Sequence, residues 1–295
     1  MTMTTTSTSA APAGAVRRGR RPVRRIVRQA GKGAAVAVLL AFTLFPAYTM
    51  LSTALAPRAT SGTDALLPTE LTLRHFDNVL TRAGFLTYLG NSVVVALITV
   101  LGSSLLALFA AVAVARFRFR LRTTVLVLIL VVQMVPLEAL VISLFLLARD
   151  LQMLNSLLGL GVVYIALSLP FAVWMLRGFV AAVPREVEEA AYIDGASWNR
   201  MFWSVLFPLV APGLVATGIF SFITAWNEFV LALTFMNSSD NYTVAVGLRQ
   251  FFGQYTTDWG AVMAASTIIT LPVMVFFLFV QRGLVSGLVA GAVKG

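Results

Sequence analysis

Long, continuous apolar runs alternate with short polar segments along this chain. Each run is long enough to hold the roughly 20 residues with which an α-helix crosses a bilayer. The runs do not alternate apolar and polar positions, as the strands of a membrane barrel would. The pattern therefore predicts an all-α polytopic membrane protein with six transmembrane helices. They cover residues 33–57, 83–115, 123–148, 151–176, 201–239 and 259–281.

The composition agrees with this pattern and narrows the chemistry. Hydrophobic residues make up 59% of the chain and charged residues 12%, whereas soluble domains carry about a quarter charged residues. The chain has no cysteine, and its single histidine, His75, falls in a predicted connecting segment. Little is left for thiol chemistry or a zinc site. We predict no catalytic residue, no metal and no cofactor bound by this chain.

The distribution of basic residues predicts the orientation. If the N-terminus is inside, 17 of the 22 Lys and Arg residues fall in inner segments. This is the positive-inside pattern, so both termini are expected in the cytoplasm. The first apolar run exceeds the core of a secretory signal, and we expect it to stay uncleaved.

The Arg-rich N-terminus divides the chain into two predicted regions. Residues 1–32 are predicted to be a disordered cytoplasmic tail, and residues 33–295 a six-helix domain. The tail suits a topogenic role beside membrane lipid, with lipid or nucleic-acid binding as the alternative. The net charge of +10 is explained by the basic residues of the inner segments, which set the membrane topology. No nucleic-acid partner is therefore expected.

One polar segment, residues 181–207, separates the fourth and fifth runs. Four of the twelve acidic residues lie between positions 186 and 194. Pro184 suits the first turn of a helix, Gly195 can end it in the left-handed conformation, and Ser197 can cap a second helix. We predict a cytoplasmic helix–turn–helix. Since its first helix is acidic, a protein partner is favoured over anionic lipid.

The stretch EAAYIDGASWNRMFWSVLFPL in this segment resembles the EAA loop of ABC importer permeases. Three other stretches, AWNEF, YTVAVGLRQF and QRGLVSGLVAGAVKG, are similar to the carbohydrate-uptake branch, the maltose-transporter type. The resemblance covers roughly residues 87–295, and the Arg-rich tail lies outside it. The matching positions of the EAA loop are Glu189, Ala190, Ala191, Asp194, Gly195, Ala196, Phe202, Val205 and Pro208.

The resemblance implies a permease subunit that moves a sugar or oligosaccharide by alternating access across a bacterial cytoplasmic (inner) membrane. It implies three kinds of partner: a second homologous permease, an ATPase homodimer and an extracytoplasmic sugar-binding lipoprotein. No G-x-x-x-x-G-K-[ST] phosphate loop occurs in the chain, so ATP–Mg belongs on the partner ATPase. The residues implied to dock on that ATPase are Glu189, Ala190, Ala191, Asp194, Gly195, Phe202 and Pro208.

Several polar residues at membrane depth are candidates for the substrate path. Amides and carboxylates bond sugar hydroxyls, and aromatic rings stack on sugar rings. Inserting an ionised carboxylate at the centre of a membrane helix costs about 2.5 to 3.5 kcal/mol. The presence of Glu138 and Glu228 at this depth therefore points to a structural or functional role. For Glu228 a structural or gating hydrogen bond inside the bundle is favoured over lining the sugar path, with an interface contact as a third reading. For Glu138, which follows a predicted kink at Pro136, the structural reading leads more clearly. The candidates for the path are Asn91, Ser92, Gln133, Trp226, Asn227 and Glu228.

Other functions stay open at this point. The solute of an ABC permease could be a polyol or a glycerol phosphate instead of a sugar. A proton-coupled secondary transporter could use Glu138 and Glu228, although such proteins carry inverted repeats that this sequence does not display. An intramembrane enzyme would need a nucleophile motif, and none is evident.

Overall fold

The computed structural model describes residues 21–57, 70–82, 84–253 and 257–292, and these residues are almost entirely helical. Their one β-type contact is an isolated bridge between Phe252 and Thr257. The helices are α1 (Arg21–Leu55), α2 (Arg74–Thr81), α3 (Phe85–Arg116), α4 (Arg122–Gln133), α5 (Leu137–Asp150), α6 (Leu157–Ala182), α7 (Arg185–Ile193), α8 (Trp198–Met201), α9 (Phe207–Asn227), α10 (Val230–Phe235), α11 (Val244–Gly247) and α12 (Trp259–Ala292).

The chain forms two compact units, Met1–Thr49 and Met50–Gly295. In the first unit α1 begins at Arg21, so residues 21–32 are helical, whereas we predicted disorder up to residue 32. Pro22 lies in the first turn, where its missing amide N–H costs no helical hydrogen bond. Residues 1–20 of the predicted tail lie outside the described part of the chain.

Five helical stretches among the described residues are long and apolar enough to cross a membrane. They correspond to the first, second, fourth, fifth and sixth predicted runs, with shifted ends. These stretches are Gly31–Leu55, Phe85–Arg116, Leu157–Ala182, Trp198–Asn227 and Trp259–Gln281.

The third predicted run is not one helix. It is broken into α4 and α5, whose axes differ by 101°. Pro136 stands directly before α5 with φ −66° and ψ 135°, so the backbone there is extended. Proline lacks the amide N–H that would continue the helix and sterically disfavours the α conformation of the preceding residue. The sequence predicted a kink at Pro136, but not a break of this size.

Two span boundaries differ from the apolar pattern for local reasons. The fourth run starts at residue 151, but α6 starts at Leu157, because Gln152 and Asn155 adopt positive φ and Ser156 caps the helix through Gly159 N–H. The fifth run extends to residue 239, but α9 ends at Asn227. Hydrophobicity alone cannot show such interruptions, because the residues on both sides remain apolar.

The α3, α6 and α9 helices pack against one another and form the core. Small and hydroxyl residues let their backbones approach, as is common between membrane helices. A Cβ atom at Gly102 of α3 would overlap the side chain of Ile165 on α6. Ser103 of α3 and Ser221 of α9 are fully buried and share a 2.8 Å hydrogen bond.

The core helices have two distinct ends. With 32 residues, α3 is about 48 Å long, and α6, with 26 residues, is about 39 Å long. One end, called here the α7 end, carries Arg116 and α7. The other, the α2 end, carries Phe85 and the short helix α2, whose Val79 is buried.

Candidate functional site

The acidic segment of the α7 end forms α7, as its sequence predicts. The helix follows Pro184, whose φ of −59° suits a helix start, and carries Glu186 and Glu188 in its first turn. Acidic side chains there interact favourably with the helix dipole. The chain then reverses at Gly195, whose φ is +82°. A Cβ atom at Gly195 would meet nothing within 4 Å, so the preference for glycine there comes from the backbone conformation alone.

The second arm of the turn is part of a membrane span. Ser197 Oγ accepts a hydrogen bond from the Arg200 amide at 3.4 Å and caps α8 as predicted. From α8 the chain continues through a π-helical turn, Phe202–Leu206, into α9 without a break. The expected helix–turn–helix therefore exists, but its second helix is the start of the next span. The residues from Trp198 to Asn227 thus form one continuous helical stretch.

The seven residues predicted to dock on a partner separate into an exposed group and an anchor. Phe202 is buried, with 1% of its surface exposed, and Ala191 is half-buried. The sequence did not single out Ile193, which is 86% exposed at the end of α7. The exposed members of the seven are Glu189, Ala190, Asp194, Gly195 and Pro208.

An ion pair that sequence reasoning missed ties α7 to α3. Arg116 Nη2 lies 2.6 Å from Glu188 Oε1, and the two side chains are 12% and 13% exposed. The same Nη2 donates a hydrogen bond to the Val183 carbonyl at 2.9 Å. Positions 116 and 188 are too far apart in sequence for any periodicity to pair them. The end of α3 thus fixes the start of α7.

Aromatic stacking and a small cavity lie behind this ion pair. The Phe202 ring stacks on Trp198 and Phe109, with centroid distances of 5.2 and 5.5 Å. A cavity of about 190 Å³ separates α3, α7 and α8, and Arg116 and Glu188 belong to its lining. The α7 segment (residues 185–197) is therefore tied to α3 by the Arg116–Glu188 pair, beside a small cavity.

Glu228 acts as a hydrogen-bond centre near the α2 end. Its Oε2 accepts from the Tyr164 hydroxyl at 2.5 Å and from the Ala232 amide at 3.0 Å, and its Oε1 accepts from the Leu231 amide at 2.8 Å. It thereby caps α10 and joins the break after α9 to α6. These are hydrogen bonds of the kind that the structural reading of Glu228 expects, and its place in the substrate path stays a prediction.

The other path candidates near the breaks are placed differently. Trp226 is 3% exposed and stacks on Phe222, and its indole N–H has no hydrogen-bond partner among the described residues. Asn227 is exposed, and its amide donates back to the Ile223 carbonyl. Gln133 is exposed at the break between α4 and α5 and is distant in sequence from Trp226 and Asn227. Among the described residues, no hydrogen bond, ion pair or ring contact joins Gln133 to Trp226, Asn227 or Glu228.

Asn91 and Ser92 hold a loop at the α2 end. Asn91 Nδ2 donates to the carbonyls of Asp240 and Tyr242 at 2.7 and 3.0 Å. Ser92 Oγ accepts from the Val244 amide at 2.8 Å. Their polar groups are thus engaged within the chain, and their role in a substrate path stays a prediction. Among the described residues no three His, Cys, Asp or Glu side chains are arranged to hold a metal ion.

Comparison with known families and sequences gives a consistent result. The model of the family described as "Binding-protein-dependent transport system inner membrane component" matches residues 103–289. The diacetylchitobiose uptake system permease protein of Streptomyces coelicolor is 40% identical over 260 residues, which cover 88% of this chain and 94% of that protein. The trehalose/maltose transport system permease protein of Thermococcus litoralis is 36% identical over 263 residues, covering 88% and 95%.

A solved structure supports the fold. A chain of a bacterial ABC transporter involved in the import of the acidic polysaccharide alginate superimposes with a TM-score of 0.75. The match covers 90% of this chain and 98% of that chain, at 21% sequence identity. At this identity the similarity establishes the arrangement of helices only.

Proposed function

This chain belongs to the family of inner membrane components of binding-protein-dependent transport systems, and we propose that it is the permease subunit of an ATP-driven sugar importer. Family members are transport components and not enzymes. They work with a second permease, ATPase subunits and an extracytoplasmic binding protein. The relatives named above transport diacetylchitobiose and trehalose or maltose, so a sugar or oligosaccharide is the favoured solute over a polyol or glycerol phosphate.

The observation that carries the mechanism is the α7 segment. It exposes Glu189, Asp194 and Ile193 at its surface, reverses at Gly195 and continues into the span of α9. We assign it as the coupling loop that docks on the ATPase. When the ATPase pair closes on ATP, a push on α7 reaches α9 through the continuous helix and α3 through the Arg116–Glu188 pair. Such a lever can switch the bundle between inward-facing and outward-facing states.

We further propose that α4 and α5 together form one broken span, which gives six spans in all. Arg122 follows Arg116 closely, so α4 starts at the α7 end. Asp150 precedes Asn155, whose carbonyl and side chain contact the loop that Asn91 also holds, so α5 ends at the α2 end. The pair thus connects opposite ends of the core. With the positive-inside pattern, both termini and α7 are then cytoplasmic.

For the substrate path we retain Gln133, Trp226 and Asn227 as the favoured candidates. Gln133 and Asn227 are exposed, each beside an interruption of a membrane helix, and Trp226 has an unpaired indole N–H. Glu228 contributes by fixing the second interruption. Asn91 and Ser92 are weaker candidates, because their polar groups already bond the chain.

The proposal is tested by uptake. The permease pair is reconstituted in liposomes with its ATPase inside and the sugar-loaded binding protein outside. We expect uptake of labelled oligosaccharide that needs ATP and continues when a protonophore removes any proton gradient. Uptake driven by a proton gradient without ATP would overturn the proposal in favour of the secondary transporter.

A matched pair of variants tests the coupling loop in the same assay. Glu186 and Glu189 are both exposed acidic residues of α7, but only Glu189 belongs to the EAA pattern. We expect Glu189→Lys to reduce sugar-stimulated ATPase activity and uptake at least tenfold, as loss of a complementary interface charge does. Glu186→Lys should stay within about twofold. Equal behaviour of the two variants would contradict the assignment.

A further inference from the structure

Asn155 makes an unusual number of contacts with a segment distant in sequence. It lies in the turn between α5 and α6, with φ +54°. Its side-chain Oδ1 accepts three hydrogen bonds, from the amides of Asn237 and Ser238 at 3.1 Å and from Ser238 Oγ at 3.0 Å. Its backbone N–H donates to the Phe235 carbonyl at 2.9 Å, and its carbonyl accepts from Asn241 Nδ2 at 2.6 Å.

The segment that Asn155 binds is also fixed from the other side. Asn91 and Ser92 of α3 bond the backbone of residues 240–244, and the Tyr88 hydroxyl accepts from Gln250 Nε2 at 2.8 Å. Residues 236–252 form no long helix and no strand that would give them a fixed shape. Burial of Val244, Val246 and Phe251 anchors the segment in the core, and side chains from the turn at Asn155 and from α3 bond its backbone at the surface.

We propose that Asn155 is a positioning residue for docking of the extracytoplasmic binding protein, an inference that rests on the proposed function and orientation. It holds residues 236–252 in one conformation before the partner arrives. Residues 237, 239, 240 and 249 of the segment are exposed at the α2 end and present a preformed surface. A preformed surface binds more tightly than a mobile one, because no ordering cost is left to be met on association.

The chemistry of the position specifies asparagine or aspartate. A positive φ is tolerated by glycine, asparagine and aspartate with little strain. An amide or carboxylate oxygen at this position can accept the bonds made at Oδ1, whereas glycine offers no side-chain acceptor. Asn155→Gly thus keeps the backbone conformation and removes the acceptor, whereas Asn155→Asp keeps both. Gln152, with φ +57° in the same turn, bonds only the nearby Arg149 carbonyl through its side chain, so Gln152→Gly is a matched control.

The test measures ATPase activity of the reconstituted complex against the concentration of sugar-loaded binding protein. For Asn155→Gly we expect the half-saturating concentration to rise about tenfold, with basal and maximal rates within about twofold of wild type. Asn155→Asp and Gln152→Gly should match wild type. A second readout is amide hydrogen exchange without binding protein, where Asn155→Gly should lose protection at residues 237 and 238.

Two results would overturn the inference while leaving the proposed function intact. One is an unchanged half-saturating concentration in Asn155→Gly. The other is an equal rise in Asn155→Gly and Gln152→Gly, which would mark a general effect of the turn. If the binding protein does not stimulate even the wild-type complex, the proposed function itself fails, and the inference fails with it.

Discussion

At the scale of single residues, several polar groups within the apolar helices of this protein are satisfied by hydrogen bonds inside the chain. Glu228 is the sharpest case, because a carboxylate at the end of a membrane helix is costly unless it is fully bonded. Three donors meet it, from Tyr164, Leu231 and Ala232. The Glu228 carboxylate accepts these hydrogen bonds where α9 ends and α10 begins. The effect of replacing Glu228 can therefore be predicted from the donors that would lose their acceptor.

Glu228→Leu should destabilise the assembled permease, since it leaves a hydroxyl and two amides without an acceptor at about 1 to 3 kcal/mol each. Glu228→Gln keeps one acceptor oxygen and should retain most uptake. Thermal unfolding in detergent and sugar uptake are the measurements, with Tyr164→Phe as the control that removes one donor only. Failure of both Glu228 variants alike, with unchanged stability, would instead indicate that the charge itself is used.

Gly195 is a residue whose conformation could be predicted from the sequence. We predicted that it ends α7 in the left-handed conformation, and its positive φ confirms this. Gly195→Val should introduce strain of about 1 to 3 kcal/mol and misdirect α8, whereas Gly195→Asn tolerates this conformation. We expect uptake to fall strongly for valine and little for asparagine at equal permease levels on a blot. Wild-type uptake by the valine variant would show that the turn does not require this conformation.

At the scale of elements, the contacts between helices were harder to predict than the helices themselves. Apolar runs located the spans, and caps such as Ser197 located a helix start. The Arg116–Glu188 pair and the contacts of Asn155 join residues more than 65 positions apart, and periodicity within one run carries no information about such pairing. The 101° break was underestimated for a related reason: proline predicts a kink, but packing of the surrounding helices sets its angle.

The link between α3 and α7 should act as a unit. Arg116→Met leaves the mostly buried Glu188 carboxylate unpaired, and breaking a buried pair costs about 3 to 5 kcal/mol. For Arg116→Met we expect ATP hydrolysis that no longer drives sugar uptake, together with weaker binding of the ATPase to the permease. The double variant Arg116→Met with Glu188→Leu should recover part of the loss, since it removes the unpaired charge. No recovery would mean that Arg116 acts through the Val183 carbonyl alone.

For the whole molecule, the proposed orientation makes an all-or-none prediction. The chain has no native cysteine, so single cysteines can be labelled without background. Cysteines at Arg118 and Asn199 should react with a membrane-impermeant maleimide only from the cytoplasmic side, and those at Asp150 and Asn241 only from outside. If α4 and α5 instead entered and left on one side, Arg118 and Asp150 would label together.

The break between α4 and α5 has a consequence for the membrane itself. Helices of 12 and 14 residues rise only about 18 and 21 Å, less than the roughly 30 Å of hydrocarbon. The carbonyl groups freed where the two meet cannot face lipid tails, which offer no hydrogen bond. Protein or water must reach them at mid-depth. In the proposed six-span arrangement, water that meets these carbonyls brings hydration halfway into the bilayer beside this chain, and a hydroxyl-rich solute passing there need not shed all of its water at once.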